Sequence, residues 1–318
     1  MAINNLGNWK TDLYKFVGKA FDLAYADRMR ELLPIVGEVD TNSVDYELTG
    51  AGGYGELTAY DGENLNQSNI KRGFKTVIVP GEFERSVKIG YKQAKVDKFG
   101  ECKKVGTRLG DAAAMTVLKH TMELFANAYS ESQLGGDGVS WANTAHPVAS
   151  KSSNNRIFVP DEDAGTYSNL ITDALSVTAI GKAQAMARRF VTPDGLPFLC
   201  NLDCVLVSPE LEMTAKKLFG ENANLMPKLN PEDETNAANP VYGMSYIVVG
   251  GGLSGFTSKQ WAVCDRRLMK ELVNLVYITR PTVLHNELDN PLIDQYSGYA
   301  DFGLGWGDAR QIIFSHPA

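Results

Sequence analysis

Residues 54 to 92 constrain the fold most, because they read as extended chain with little of their own to pack against. GELTAYD, GFKTVIV and EFERSVKI are short strand-like runs, and Pro80-Gly81 predicts a tight antiparallel turn between the second and third. Between the first and second lies DGENLNQSNIKR, a polar tip. An isolated hairpin of this kind is marginal in water. A fold that contains it must supply a surface for it to lean on, in the same chain or in another. Lys71, Lys75 and Lys88 on this excursion read as solvated charges.

The segment ahead of it raises the same demand. Leu13, Phe16, Val17, Ala20, Phe21 and Ala24 recur at helical spacing, predicting an amphipathic helix over about residues 9 to 33 that stops at Pro34. Lys15, Lys19 and Asp22 interrupt the run, so it does not read as a secretory signal. The stretch that follows, VDTNSVDYELTGAGGYG, is polar and Gly-rich. The partner of the apolar stripe must therefore be distant in the fold or on another chain.

The strongest helical signal runs from about Lys95 to Ser130, with Leu118, Met122, Phe125 and Tyr129 on one face and Gly110 weakening the interior. It ends at a turn forced by Gly135, Gly136, Asp137 and Gly138. A second helix is expected over roughly 168 to 190. LCNLDCVLV then reads as a buried strand, and Ser208-Pro209 starts a helix with a hydroxyl cap, its Leu211, Ala215 and Leu218 facing the sheet. Residues 221 to 240, rich in Asn and Pro, read as an exposed loop. MSYIVVG, KQWAVCD, LVYITRP, YADFGLGWGD and QIIFS follow as strands, which makes an α+β pattern without regular βαβ repeats.

VVGGGLSG, residues 248 to 255, imitates a dinucleotide-binding turn, with Gly250, Gly252 and Gly255 at G-x-G-x-x-G spacing behind an apolar run. That fingerprint needs a helix after the third glycine, because the helix N-terminus holds the pyrophosphate. Here Trp261-Ala262-Val263 already reads as the next strand, so the segment is a glycine-rich loop joining two strands. His285-Asn286-Glu287 resembles the H-x-E of zinc deaminases but lacks the following P-C-x-x-C. No nucleophile elbow or H-x-x-x-H pair is present, so no catalytic, cofactor-binding or metal-binding residue is assigned.

Composition permits one large domain or two smaller ones. The 318 residues carry a net charge of −7, which disfavours sequence-specific nucleic-acid binding. The four cysteines are too few for a disulfide scaffold. Cys200 and Cys204, if on one strand, lie about 13 Å apart at about 3.3 Å per residue, too far for a disulfide. No segment approaches the roughly 20 apolar residues that span a bilayer.

In its order of elements the chain resembles the major capsid protein of tailed bacteriophages, the Hong Kong 97-type fold, and among these the Mu-like major head subunit branch. The residues that carry the resemblance are LFANAYSESQLGGDGVSWANTAHPV (124 to 148), with Gly136-Asp137-Gly138 and Thr144-Ala145-His146-Pro147. SNLITDALSVTAIGKAQAMARRFVTPDGLPFLCNLDCVLVSPELEMTAKKLF (168 to 219) and the closing YADFGLGWGDARQIIFS add to it.

The resemblance implies an N-terminal arm over 1-50, an extended loop over 51-92, a peripheral domain with a spine helix over 93-189 and 286-318, and an axial domain over 190-285. It implies a head protein that self-assembles through pentamers and hexamers into an icosahedral shell around double-stranded DNA, made in the host cytoplasm and resident in the virion. A separate scaffold protein, a portal and decoration proteins are the implied partners; no cofactor, membrane or sequence-specific DNA contact is. Some relatives cross-link a lysine on the extended loop to an asparagine on a neighbour, a position that Lys71 or Lys75 could occupy, with no matching partner residue in this sequence. Subunit contacts are expected at Phe16, Val17 and Phe21 of the arm and at Ile70, Lys71, Arg72 and Phe74 of the loop. An encapsulin-like shell with enzyme cargo is the alternative within the same fold. A flavin or nicotinamide oxidoreductase rests on VVGGGLSG alone.

Overall fold

The computed structural model describes residues 6–29, 35–51, 60, 72–97, 100–102, 104–148, 165–192, 196–220, 239–250, 255–286 and 292–317. In chain order the helices are α1 (Leu6–Met29), α2 (Tyr91–Lys95), α3 (Val105–Ala126), α4 (Val177–Ala187), α5 (Glu212–Phe219) and α6 (Arg266–Leu272). The first strands are β1 (Gly37–Asp40), β2 (Tyr46–Ala51), β3 (Arg72–Ile78), β4 (Gly81–Gly90), β5 (His146–Pro147), β6 (Thr166–Tyr167) and β7 (Leu170–Ile171). They are followed by β8 (Cys204–Val207), β9 (Ser245–Val248), β10 (Trp261–Cys264), β11 (Val273–Asn286), β12 (Ile293–Trp306) and β13 (Ile312–Ser315). The chain divides into two compact units, one of Met1–Tyr46, Ile78–Thr121 and Asn274–Leu304, the other of Glu47–Val77, Met122–Val273 and Gly305–Ala318.

The first unit is built on a four-stranded sheet in the order β1-β11-β12-β4. β1 runs parallel to β11, and β4 runs antiparallel to β12 over a register from Ile293↔Gly90 to Phe302↔Gly81. α1 finds its partner here. Val17 and Phe21 are fully buried in a cluster with Ile89, Leu109, Val283 and Tyr296. Two glycines of α3 allow the helices to touch: a Cβ at Gly110 would lie 2.5 Å from the Phe21 carbonyl oxygen, and Gly106 meets the Val17 backbone in the same way. Gly110, expected only to weaken α3, is thus a point of backbone contact.

The second unit holds a five-stranded mixed sheet in the order β7-β13-β10-β8-β9. β8, β10 and β13 are buried along their whole length, which is why they read in sequence as unbroken apolar runs. α4 and α5 cover this sheet through Ala179, Ile180, Ala183, Ala215 and Phe219. α4 begins at Val177 and not near 168, because the Ser176 side chain accepts from the Ala179 amide and fixes the start.

The strand pairing departs from expectation at the excursion. β3 pairs with β2, whereas β4 pairs with β12, so Pro80-Gly81 separates two sheets and is not a hairpin turn. Proline has no N–H to give a ladder, and β4 gains ten register partners on β12. GELTAYD lies outside the described residues except for Tyr60. The buried residues of α3 include Leu109, Ala114, Val117, Thr121, Met122 and Phe125, continuing to Ala128, so Met122 and Phe125 are buried as expected while Leu118 and Tyr129 are only partly covered. Ser208 does not cap its helix; its hydroxyl donates to the Ser258 carbonyl, 3.2 Å away. The 221 to 240 loop lies outside the described residues up to 238.

Candidate assembly surfaces

β2 and β3 pair as a two-stranded ladder. Lys75 forms a solvent-exposed ion pair with Glu47 across that ladder. The ladder is fastened to the Gly-Gly-Asp-Gly turn. The Gly136 amide donates to Thr76 Oγ1 at 3.0 Å, and a Cβ on Gly136 would meet the Lys75 carbonyl oxygen at 2.5 Å. Gly135 lies against the face of Trp306, which stacks on Trp141 with centroids 5.6 Å apart. Both glycines are needed because backbone and indole approach where a side chain would stand.

The two short motifs that carry the resemblance meet at the next residue of this turn. His146 is fully buried, and its Nδ1 lies 2.6 Å from Asp137 Oδ2. Its Nε2 lies 3.1 Å from Asn169 Oδ1. Asn169 donates its amide to the carbonyl oxygens of Trp141 and Ala309, so its Oδ1 is the acceptor and His146 Nε2 carries a proton. The imidazole also stacks on Tyr167, its register partner, with centroids 5.1 Å apart. Arg310 completes the local network: it bonds Asp308, donates to the Val191 carbonyl at 2.7 Å and lies over the Tyr167 and Phe198 rings. These contacts lock loops together and leave no ring nitrogen of His146 facing an open cleft.

The sequence-predicted contact residues fall in different settings. Phe16 is 52% exposed and Leu23, one heptad on, is 65% exposed, giving α1 an outward apolar strip. Val17 and Phe21 are consumed by the chain's own core. Phe74 is partly buried on β3, Arg72 opens that strand, and Ile70 and Lys71 lie outside the described residues. Val77 and Val79, within the Ile70 to Val79 edge that the sequence reading favours for contacts, carry the apolar surface past Phe74. In the second unit Leu199 and Met213 stand out at 83% and 64% exposure.

Nothing in the described part of the glycine-rich segment cradles a phosphate. β9 leads through it to β10, a strand, and the ends of the segment touch each other: a Cβ at Gly255 would sit 2.7 Å from the Gly250 Cα. Cys204 and Cys264 are register partners on β8 and β10 and are free thiols, as are Cys102 and Cys200. A hydrogen bond to Cys204 and burial push the Cys264 thiol well up. Among the described residues no group of three or more His, Cys, Asp or Glu is placed to hold a metal ion, and no helix is long and apolar enough to cross a membrane.

Comparison with known proteins gives this architecture its context. A family profile described as phage capsid protein matches residues 74–313. No curated protein sequence matches the chain. Among solved structures, the capsid of Ralstonia phage GP4 superimposes with a TM-score of 0.55 at 11% identity, covering 88% of this chain and 86% of that one. The capsid of Cyanophage P-SCSP1u gives 0.54 at 11% identity, over 89% and 86% of the two chains. The virus-like particle from Pyrococcus furiosus gives 0.53 at 8% identity, over 94% and 97%. At such identities the likeness is one of fold, and it is the α+β capsid fold that the element order implies. The profile spans well over half of the sequence: the chain belongs to the phage capsid protein family.

Proposed function

We propose that copies of this chain close, through pentamers and hexamers, into an icosahedral head that encloses double-stranded DNA. The match of the capsid family to residues 74–313 carries this reading. The surface supports it, because Phe16, Leu23, Val77, Val79, Leu199 and Met213 are large apolar side chains exposed on the single chain. Burying such residues against neighbours is the main source of association energy in permanent complexes. An acidic chain of net charge −7 suits a wall that contains DNA without adhering to it.

In this reading residues 1-50 form an arm, 51-92 an extended loop, 93-189 with 286-318 a peripheral domain, and 190-285 an axial domain. The role is structural and not enzymatic, and the place is the virion, with synthesis in the host cytoplasm. A scaffold protein, a portal and decoration proteins complete the set of partners. Phe16 and the loop residues Ile70, Lys71, Arg72 and Phe74 remain the contact residues, while Val17 and Phe21 act by holding α1 in place.

Size-exclusion chromatography followed by negative-stain microscopy tests the proposal. Closed shells or five- and six-membered rings are expected, and a monodisperse small oligomer would overturn it. Extraction of the particle contents then separates packaged DNA from protein cargo.

A further inference from the structure

α6 opens with two cations where a helix disfavours them. Arg266 and Arg267 follow the Asp265 cap in a first turn without an acidic residue, and the positive end of the helix dipole repels both. Asp203 offsets Arg266, taking its amide at 3.0 Å and its Nε at 2.8 Å. Arg267 is exposed and forms no ion pair among the described residues. Arg188, exposed behind α4, forms none there either.

These two arginines line one open groove of about 570 Å³, with Pro197, Phe198, Leu199 and Cys200. Its carboxylates are already engaged. Asp203 holds Arg266, while Asp265 accepts the Arg267 and Leu268 amides on Oδ1 and the Asn201 amide on Oδ2. The Arg188 and Arg267 guanidinium groups are left to bind something else, beside a Leu199 that is 83% exposed. Arginine set among apolar and aromatic groups is the composition of a protein–protein contact. A phosphate backbone would leave Leu199 uncovered.

Charge complementarity names the occupant. Residues 221–238 carry Glu221 and the run Glu232-Asp233-Glu234 against Lys228 alone. Leu225, Met226 and Leu229 precede the run, so one stretch offers both apolar and acidic groups. The other run of three acids, Asp161-Glu162-Asp163, shares its segment with Lys151 and Arg156 and is less negative. Placement agrees with charge. Asn239 donates to the Leu218 carbonyl at 2.8 Å, so the two ends of the 221–238 segment meet. The chain then enters β9 at Ser245, the register partner of Cys204. Groove residues 200–203 lead into that same Cys204, and Asp265 follows its other partner, Cys264. Groove and segment ends thus share one end of the five-stranded sheet. A rotation about an axis beside that end carries the segment of one copy to the groove of the next, a heterologous contact that closes into a ring.

We propose that the groove of Arg188 and Arg267 receives Glu232-Asp233-Glu234 from a second copy of this chain. This inference rests on the shell reading.

Cys200 supplies the test, because it lines the groove while the other three cysteines are buried. Assembled Asp233→Cys is oxidised with copper phenanthroline and run on a non-reducing gel. A ladder of linked chains up to pentamers and hexamers is expected, and Cys200→Ser in the same background should abolish it. In parallel, Arg188→Glu with Arg267→Glu is expected to lower the salt concentration at which shells dissociate. Adding Glu232→Lys, Asp233→Lys and Glu234→Lys should restore it. A bridge from 200 to 233 within one chain, a ladder from Glu162→Cys in place of Asp233→Cys, or no bridge at all would overturn the proposal. So would arginine variants whose shells resist salt like wild type; loss of packaged DNA in them would identify phosphate as the partner. Wild type that forms no shell would instead remove the shell reading, and this inference with it.

Discussion

Gly136 lies flat against the backbone of Lys75, its amide donating to Thr76 Oγ1 at 3.0 Å and its Cα facing the Lys75 carbonyl. The β2–β3 ladder is positioned by this contact and by the Lys75–Glu47 ion pair. Gly136→Ala puts a methyl group 2.5 Å from that carbonyl oxygen, and the backbone on one side must move. We expect a loss of about 1–3 kcal/mol in urea unfolding. Glu47→Gln, which removes only an exposed ion pair, should cost less than about 1 kcal/mol.

At Gly110 two effects have opposite signs, and their sizes decide the outcome. Alanine in place of a helix-interior glycine stabilises an isolated helix by up to about 1 kcal/mol. Here the new methyl would meet the Phe21 carbonyl at 2.5 Å and the Ala24 Cβ at 3.1 Å, wedging α1 off α3. Phe21 and Val17 would then lose burial, worth about 1.5–3 kcal/mol for each side chain fully exposed. Gly110→Ala is therefore expected to lower the melting temperature, and Gly181→Ala on α4, where no atom lies within 4 Å of the added Cβ, to leave it equal or higher.

These two glycines also mark where the sequence was readable and where it was not. β8, β10 and β13 could be read because their apolar runs are continuous, and the ends of α3 and α4 were misplaced by no more than about three turns. β1 and β2 escaped notice because their residues are polar or alternate weakly, and β1 exists through its parallel register with β11, more than 230 positions away. α6 is seven residues long, short enough to vanish between two strands, although Asp265 caps it by accepting from the Arg267 and Leu268 amides. The Pro80-Gly81 dipeptide gave the right break and the wrong pairing, since turn chemistry fixes where a chain stops but not which strand it joins. Val17 and Phe21 looked like contact residues because helical periodicity reports an apolar face without naming what covers it. Asp137 and His146 were visible only as pieces of two turns; their 2.6 Å contact is a product of tertiary structure.

Cys200 offers a chemical probe of the second unit. Burial, followed by the nearby Asp265, pushes its thiol up to about 12. At pH 8 its thiolate fraction falls by about 10³ relative to an ordinary cysteine, and the greater nucleophilicity of the high-pKa thiolate returns roughly a factor of ten. Iodoacetamide should therefore label Cys200 about 10² times more slowly than it labels a cysteine peptide. Cys102, Cys204 and Cys264 are buried and should react only on unfolding. Mass spectrometry of partially labelled protein reads both rates, and fast labelling of Cys200 would show that the segment 196–203 opens in solution.

The Asp308–Arg310 pair predicts how the second unit responds to acid. Burial alone would raise the Asp308 carboxyl, but the Arg310 charge and its hydrogen bonds prevail and hold it below its ordinary value. The Arg310 guanidinium is raised, burial opposing and Asp308 prevailing, so the two partners agree. A carboxyl whose folded value lies below its unfolded one, about 3.9, contributes stability that is complete above that pH. The contribution is lost as pH falls through the folded value. Wild type should therefore lose stability progressively below about pH 4. Asp308→Asn leaves Arg310, whose side chain is 5% exposed, as a buried charge without its partner. It is expected to cost about 3–5 kcal/mol at neutral pH and to remove this component of the acid loss, so the two stability curves converge as pH falls. Urea unfolding followed between pH 3 and pH 7 measures both effects, and parallel curves would show that Asp308 titrates alike in the folded and unfolded chain.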